Sequence, residues 1–348
     1  METISKRNNS TDIFRYICAL LVLSIHTDFL SEYSASLSFF ITQILARIAV
    51  PFFFSVSGYF FISKLEQGKE CALRQFVKHI LIPYLFWSTI YMLMGAASTI
   101  INKSSLSAFF VKFIFDFFFN GSVDTLWFIP ALIYSAIFTT ILYKIGQKKT
   151  LLPIAIALYL IGCLGVSYYS IGIHIPVLQN LYQLECFDTI RHIFFMGIPF
   201  FAAGILVRRI IEGLLTTKSS TKALWLVFVV GLLLFFGEIL LVRKLALEKG
   251  ITITLFLFPL IICILLLLLK YPLDRWNKLG WYGNKLASFT YYSHPLFINI
   301  LLFLGPKIVS GGGIPPTGRF AITWLGTLLT GLLIIHINNK RLNRLVGA

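Results

Sequence analysis

The sequence predicts an all-α, polytopic membrane protein of about ten transmembrane helices, with both termini cytoplasmic and one integral membrane domain over residues 1–348. Three observations carry that prediction: composition, the length of the apolar runs, and the sidedness of the basic residues. Of the 348 residues 57% are hydrophobic and 13% charged, where a soluble domain holds roughly 45–50% and 25%. Mean hydropathy is +0.84. A water-soluble globule cannot hide so much apolar surface, and a disordered chain needs the opposite composition, so both classes are excluded.

Runs close to the roughly 20 residues that cross a bilayer fall at 12–31, 38–62, 77–98, 125–143, 151–169, 190–207, 223–242, 250–270, 285–304 and 319–337. The first is preceded by Lys6 and Arg7 but contains Arg15 and His26, which makes it a poor signal peptide and a better first span. Residues 99–124 include the aromatic stretch 106–119, too short to span comfortably and suited to the interface or to a re-entrant segment. An even number of spans puts both termini on one side. On that reading 20 of the 30 Lys and Arg lie on the side of the termini, among them Lys6, Arg7, Lys69 and Lys218. Seven lie opposite (Lys103, Lys112, Arg243, Lys244, Lys249, Lys307 and Arg319), and Arg15, Arg47 and Arg191 fall within spans or at an edge. This asymmetry places the termini in the cytoplasm of a multi-pass protein of the cell's inner or plasma membrane. The net charge of +16 is thus an orientation signal, and no nucleic-acid partner is expected.

Other motif classes are weak. Five Cys, an odd number with no close pair, give neither a disulfide framework nor a zinc signature. No two His or Cys have metal-ligand spacing on one helix face, so no metal is expected. The Gly311–Gly313 run lacks the strand-to-helix setting of a phosphate loop.

The informative residues are the ionisable groups inside spans, which cost several kcal/mol by most estimates and are functional-site hypotheses. The first span holds Asp12, Arg15 and His26; the second holds Arg47 and the Ser55–Gly58 turn; the sixth holds Arg191 and His192. Arg15 and His26 are eleven residues apart, about 16 Å of rise and a net rotation of about 20°, so they share a helix face. A guanidinium at the cytoplasmic mouth suits a phosphate, with Asp12 one turn away to orient it. An imidazole more than halfway across suits proton transfer. Snorkelling of Arg15 and a plain interhelical hydrogen bond of His26 are the structural alternatives. The Pro51–Gly58 stretch is expected to bend the second span and expose backbone groups. Glu238 is read as a carboxylate near a span end that stays hydrated, and His79, His174 and His336 as interfacial. Trp127 and Tyr182 read as interface or cavity-wall aromatics, and His294, beside Pro295, as a candidate cavity group.

Asp12-x-x-Arg15 followed by His26, then Arg47-Ile-Ala-Val-Pro51-Phe-Phe-Phe-Ser-Val-Ser57-Gly58, resembles the membrane acyltransferase 3 family. Ile82-Pro83-Tyr84, Leu126-Trp127-Phe128-Ile129-Pro130, Arg191 with Gly197–Gly204, and Tyr291-Tyr292-Ser293-His294-Pro295 extend the likeness along the chain. Asn120-Gly121 with Leu126-Trp127-Phe128, and Leu158–Gly162, are similar to the N-terminal membrane domain of the membrane-bound serine racemases of vancomycin-resistance operons. The chain ends about eleven residues after its last expected span, so no racemase activity is expected of it.

The resemblance implies an acyltransferase that moves an acyl group, acetyl by family precedent, from cytoplasmic acyl-CoA to a hydroxyl or amine acceptor at the outer face. A cell-envelope glycan, a lipid-linked sugar or a small molecule would serve as acceptor. It implies His26 as general base or as brief carrier of the acyl group, Arg15 on a CoA phosphate with Arg191 assisting, and Arg47 and backbone donors near Ser57 at the oxyanion. Ser57, Trp127, Tyr292 and His294 are the implied substrate-side residues. Because the racemase-linked domains have also been regarded as importers, transport of serine or a similar small solute is the alternative. Against transport, the ionisable groups crowd into the first two spans with no second copy of the Arg/His pair, where an inverted repeat would be expected.

Overall fold

A computed structural model describes residues 8–67, 71–216, 220–308 and 313–348. Lys6, Arg7, Lys69 and Lys218 of the charge count, and Gly311 and Gly312 of the glycine run, lie outside the described residues. The described residues are helical, with no strand among them. Helices of 14 residues or more are α1 (Asn9–Thr27), α2 (Ala49–Glu66), α3 (Ala72–Ile101), α4 (Leu106–Phe119), α5 (Phe128–Lys144) and α6 (Leu151–Gly165). They continue as α7 (Ile198–Thr216), α8 (Ser220–Lys244), α9 (Leu257–Lys270), α10 (Asn277–Ile308) and α11 (Pro316–Ile337).

Six segments are long and apolar enough to cross a membrane: Ala35–Glu66, Ala72–Ile101, Leu106–Leu126, Phe187–Ile211, Lys222–Lys244 and Pro316–Ile337. Leu257–Lys270 and Asp274–Lys307 pass only as a broken pair, and α5 and α6 are apolar but shorter. Five of the ten expected spans therefore stand alone, two form the broken pair, two are the short helices, and the first is the 19-residue α1 with Asp12 and Arg15 in its opening turns. The 106–119 stretch, expected at the interface or as a re-entrant segment, belongs to Leu106–Leu126, which is long and apolar enough to span once the short 3₁₀ turn Asp124–Leu126 is counted with it.

The break in the second expected span lies earlier than the sequence suggests. Ala35–Phe39 passes into a π turn (Phe40–Ile44) and a 3₁₀ turn (Leu45–Ile48), and α2 then runs unbroken through Pro51–Gly58. Pro51 sits in the first turn of α2, where a missing N–H costs least. Arg47, not Ser57, occupies the irregular backbone.

Two compact units interleave in the chain. The first comprises residues 1–13, 50–73 and 131–280, the second residues 14–49, 74–130 and 281–348.

In the first unit α2 and α7 meet through glycine. A methyl on Gly58 would fall on the carbonyl oxygen of Phe201, and one on Gly204 on that of Ser55. Ser55 Oγ donates to the Phe200 carbonyl (2.8 Å), so small residues let the two backbones approach as membrane helices commonly do. The non-helical stretch after α9 is satisfied by polar side chains. Ser10 Oγ donates to Tyr271 O and accepts from Leu273 N–H (3.0 Å), and Asn9 Nδ2 donates to Leu273 O (3.1 Å) and Asn277 Oδ1 (2.6 Å).

In the second unit α1 and α10 run in the same direction, because Arg15 meets Asn284 near one end and His26 meets His294 near the other. Helix α11 returns antiparallel: Gly331 packs against Leu286 and Phe289, Gly326 against Phe297. The first and ninth expected spans are thus parallel, and the tenth is reversed. Helix α1 stops at Thr27, where Asp28 (φ 52°) and Leu30 (φ 65°) take left-handed backbone. That turn is tied to the start of α11 by Leu30 N–H to Thr317 Oγ1 (3.2 Å), Thr317 N–H to Glu32 Oε1 (2.9 Å) and the Phe29–Phe320 ring contact at 4.3 Å.

Candidate active site

The second unit holds a cavity of about 510 Å³, within the range of small-molecule sites. Its walls include His26 of α1, Lys112 and Asp116 of α4, Ser122 and Asp124 of the following loop, and Pro295 and Asn299 of α10. His26 is half-buried, and among the described residues no protein group hydrogen-bonds either of its ring nitrogens. Asp124 shares the cavity wall with it.

The loop that brings Asp124 to His26 is built by the sequence pieces flagged as motifs. Gly121 has φ +86°, and a methyl there would strike the backbone of Leu126 and Trp127, so the Asn120-Gly121 pair is a conformational requirement. Tyr84, from Ile82-Pro83-Tyr84, donates to Phe117 O (2.7 Å) and accepts from Ser122 N–H (3.1 Å), while Ser88 Oγ donates to Ser122 Oγ (2.8 Å). Tyr291 OH donates to Thr125 O (2.8 Å) from the other side. Lys112 and Asp116 pair one turn apart on α4, and Asn120 Nδ2 donates to the second oxygen of Asp116 (2.9 Å). Asp124, also on the cavity wall, is exposed, and among the described residues its carboxylate makes no such side-chain bond.

Behind His26 stands His294, 1% exposed, with ring centroids 5.5 Å apart and planes at 28°. His294 Nδ1 lies 2.8 Å from Tyr291 O and 3.1 Å from Thr290 O. Its Nε2 is buried with no hydrogen-bond partner among the described residues, a state that typically costs about 1–3 kcal/mol.

Arg15, half-buried eleven residues before His26, donates from Nη1 to Asn284 Oδ1 (2.9 Å). Arg47 donates from Nη2 to Gln43 Oε1 on the preceding turn. Tyr292 is buried, donating to Ile80 O (3.2 Å) and accepting from Tyr91 OH at its carbonyl (2.6 Å), so it packs α10 against α3. Trp127 is half-buried beside the Asp124–Leu126 turn, and none of Trp127, Tyr292, Arg47 and His294, the last expected as a cavity group, lines the cavity.

Asp12, Ser57 and Arg191 belong to the first unit. Asp12 is buried at the head of α1, and Ser57 is half-buried on α2. Because α2 is regular there, the backbone N–H groups near Ser57 are engaged in the helix, and the expectation that they lie free for an oxyanion is corrected. Arg191 opens a π-helical turn and donates to Asp188 Oδ1 (3.2 Å) and His192 Nε2 (3.1 Å). Glu238, expected to stay hydrated, is buried instead. It accepts from Tyr168 OH (2.7 Å), Leu255 N–H (2.5 Å) and Phe256 N–H (2.9 Å), which fastens the segment leading into α9. Tyr182 is buried too, donating to Ile161 O (2.9 Å).

Sequence reasoning missed Lys112, Asp116, Asp124, Asn284 and Asn299. Asn284 alone left a trace: it precedes His294 by ten residues, as Arg15 precedes His26 by eleven, so two parallel helices carry matched polar pairs. Among the described residues, no group of three His, Cys, Asp or Glu is arranged to hold a metal ion.

No solved structure matches the chain. It is 30% identical over 272 residues to an amino-acid racemase of Enterococcus faecalis, covering 77% of this chain and 37% of that protein. It is 30% identical over 311 residues to a serine/alanine racemase of Enterococcus gallinarum, covering 87% of this chain and 42% of that one. The chain therefore spans less than half the length of these curated relatives. A family model described as an acyltransferase domain matches residues 8–336. With a match over nearly its whole length and polar residues gathered around His26, the chain belongs to the membrane acyltransferase 3 family.

Proposed function

We propose that this protein transfers an acyl group, acetyl by family precedent, from cytoplasmic acyl-CoA to a hydroxyl or amine acceptor that enters the His26 cavity from the outer face of the cell membrane. The observation that supports this best is His26 itself, a half-buried imidazole on the wall of a cavity of about 510 Å³ whose two nitrogens have no hydrogen-bond partner among the described residues. Arg15 takes a phosphate of CoA at the opposite end of the same helix face, about 16 Å away by helical rise, a span comparable to the pantetheine arm.

His26 accepts the proton of the acceptor O–H or N–H as the new bond to the acyl carbon forms. Arg47 steadies the negative charge on the acyl oxygen. As the carbon–sulfur bond breaks, His26 returns the proton to the thiolate, which leaves as CoA thiol.

Purified protein in nanodiscs, given radiolabelled acetyl-CoA, should release or transfer label. His26→Ala should lower that rate by at least about 100-fold with CoA binding retained. Label transfer undiminished in His26→Ala would remove His26 from the chemistry. A second reading, transport of serine or a similar amino acid, is favoured by the names of the relatives, amino-acid and serine/alanine racemases. Saturable serine uptake into proteoliposomes without thioester cleavage would establish it in place of the first.

A further inference from the structure

The geometry points to His294 as the positioning residue for His26: its Nε2 accepts the N–H of one His26 ring nitrogen, leaving the other nitrogen of His26 unprotonated toward the cavity. The inference rests on the acyl-transfer reading and adds to it the group that sets the state of the base.

The argument begins with Pro295. A proline has no N–H, so the carbonyl of Tyr291, four residues back on α10, lacks its usual helical donor. His294 Nδ1 lies 2.8 Å from that oxygen and 3.1 Å from Thr290 O. A carbonyl oxygen can only accept, so Nδ1 carries the hydrogen. In a neutral imidazole the other nitrogen is then a lone pair. The His294-Pro295 sequence therefore locks one tautomer, with Nε2 as an acceptor.

That acceptor is buried and has no partner among the described residues. The His26 ring stacks beside that of His294, with centroids 5.5 Å apart and planes at 28°. An N–H···N bond of about 2.9 Å between two imidazoles places their centroids about 5 Å apart, so a small rotation of His26 closes it. Closing it satisfies a buried acceptor and fixes which nitrogen of His26 holds the hydrogen. It also turns the free lone pair to the side lined by Asp124, Ser122 and Asn299. During transfer the acceptor's proton goes to that free nitrogen and onward to the departing thiolate, while the hydrogen shared with His294 stays in place.

The test uses the full chain in nanodiscs with radiolabelled acetyl-CoA as probe, comparing His294→Phe, His294→Gln, Pro295→Ala and His26→Ala. Phe keeps the ring shape without an acceptor; the Gln amide oxygen can reach the position of Nε2. His294→Phe should lower kcat by roughly 10- to 100-fold, part of a general-base contribution, with KM for acetyl-CoA within about twofold. His294→Gln should recover kcat to within about fivefold of the parent. Pro295→Ala, which returns an amide donor to Tyr291 O and frees His294 to change tautomer, should fall between them and reports the same device if His294→Phe does not fold. If His26→Ala is inactive while His294→Phe and Pro295→Ala work at the parental rate, or if Gln rescues nothing, the positioning role is overturned and the acyl-transfer reading stands. If His26→Ala itself is fully active, both fail together.

Discussion

Glu238 in the first unit and His294 in the second are both buried polar groups on apolar helices, yet they are treated in opposite ways. Glu238 accepts three hydrogen bonds, from Tyr168 and from two backbone amides ahead of α9. His294 spends one nitrogen on its own helix and, among the described residues, leaves the other without a hydrogen-bond partner, beside a His26 that has none there either. A group whose bonds are all made holds the fold, whereas one with an open valence beside a cavity can engage a substrate or a second residue. Burial alone does not separate the two kinds; the accounting of hydrogen bonds does.

The largest stability effect should come from breaking the satisfied cluster. Glu238→Ala leaves the amides of Leu255 and Phe256 and the hydroxyl of Tyr168 without acceptors, for a loss of about 3 kcal/mol. In detergent this should appear as a clearly lowered Tm. Whatever protein remains folded should transfer acyl groups at the parental specific rate, the reverse of the pattern expected for His26→Ala. A specific-activity loss at unchanged Tm would show that Glu238 belongs to the chemistry and would erase the contrast.

Gly204→Ala should follow, costing about 1–3 kcal/mol. The added methyl would fall on the Ser55 carbonyl and press on the amide of Tyr59, all of it backbone that can yield only by separating α2 from α7. The parallel change Gly237→Ala, where a methyl meets nothing within 4 Å, is the control and should be neutral or slightly stabilising. Equal melting temperatures for the two variants would mean that the close helix approach carries no strain.

The two regions were unequally legible in the sequence. The Arg15/His26 face could be read because helical periodicity is local, and eleven residues return to the same side whatever the rest of the chain does. The carboxylates opposite could not: Asp116 and Asp124 are about a hundred residues from His26, in a segment whose aromatic content reads as interface. Glu238 was misjudged for the same reason, since its donors at 168, 255 and 256 come from other elements. Pro51 drew attention to the wrong turn because a proline in the first turn of a helix does not break it, while the π and 3₁₀ turns at 40–48 contain no residue that announces them. The family likeness, carried by short pieces in a fixed order, survived these errors, and Gly121 and Tyr84 show why such pieces can hold: each fixes the loop that bears Asp124.

Arg15→Lys offers a finer probe of the second unit. Lysine keeps the charge but loses the guanidinium fork that can meet Asn284 and a phosphate at once. KM for acetyl-CoA should rise by roughly tenfold, about 1.4 kcal/mol, with kcat changed much less. A fall in kcat at constant KM would move Arg15 from donor binding to the reacting centre.

The smallest expected effect lies at the edge of the second unit, where Glu32 ties the turn after α1 to the start of α11. Slight desolvation opposes ionisation of this exposed carboxyl, but the hydrogen bonds from Thr317 and the nearby charge of Arg319 outweigh it and hold its pKa below the usual value. A carboxyl whose folded pKa is depressed contributes stability that is fully present above the unfolded value and is lost as pH falls through the folded one. Acidification through the carboxylate range should therefore loosen the Thr317 amide before the rest of the second unit opens, seen as faster hydrogen exchange at residues 30–33 and 317. Glu32→Gln should remove that pH dependence while leaving the exchange of Tyr291 and Thr125, which anchor the cavity loop, unchanged. Acid-sensitive exchange spreading to those two residues would show that the turn and the cavity open as one unit, and would tie the position of His26 to a group at the end of its helix.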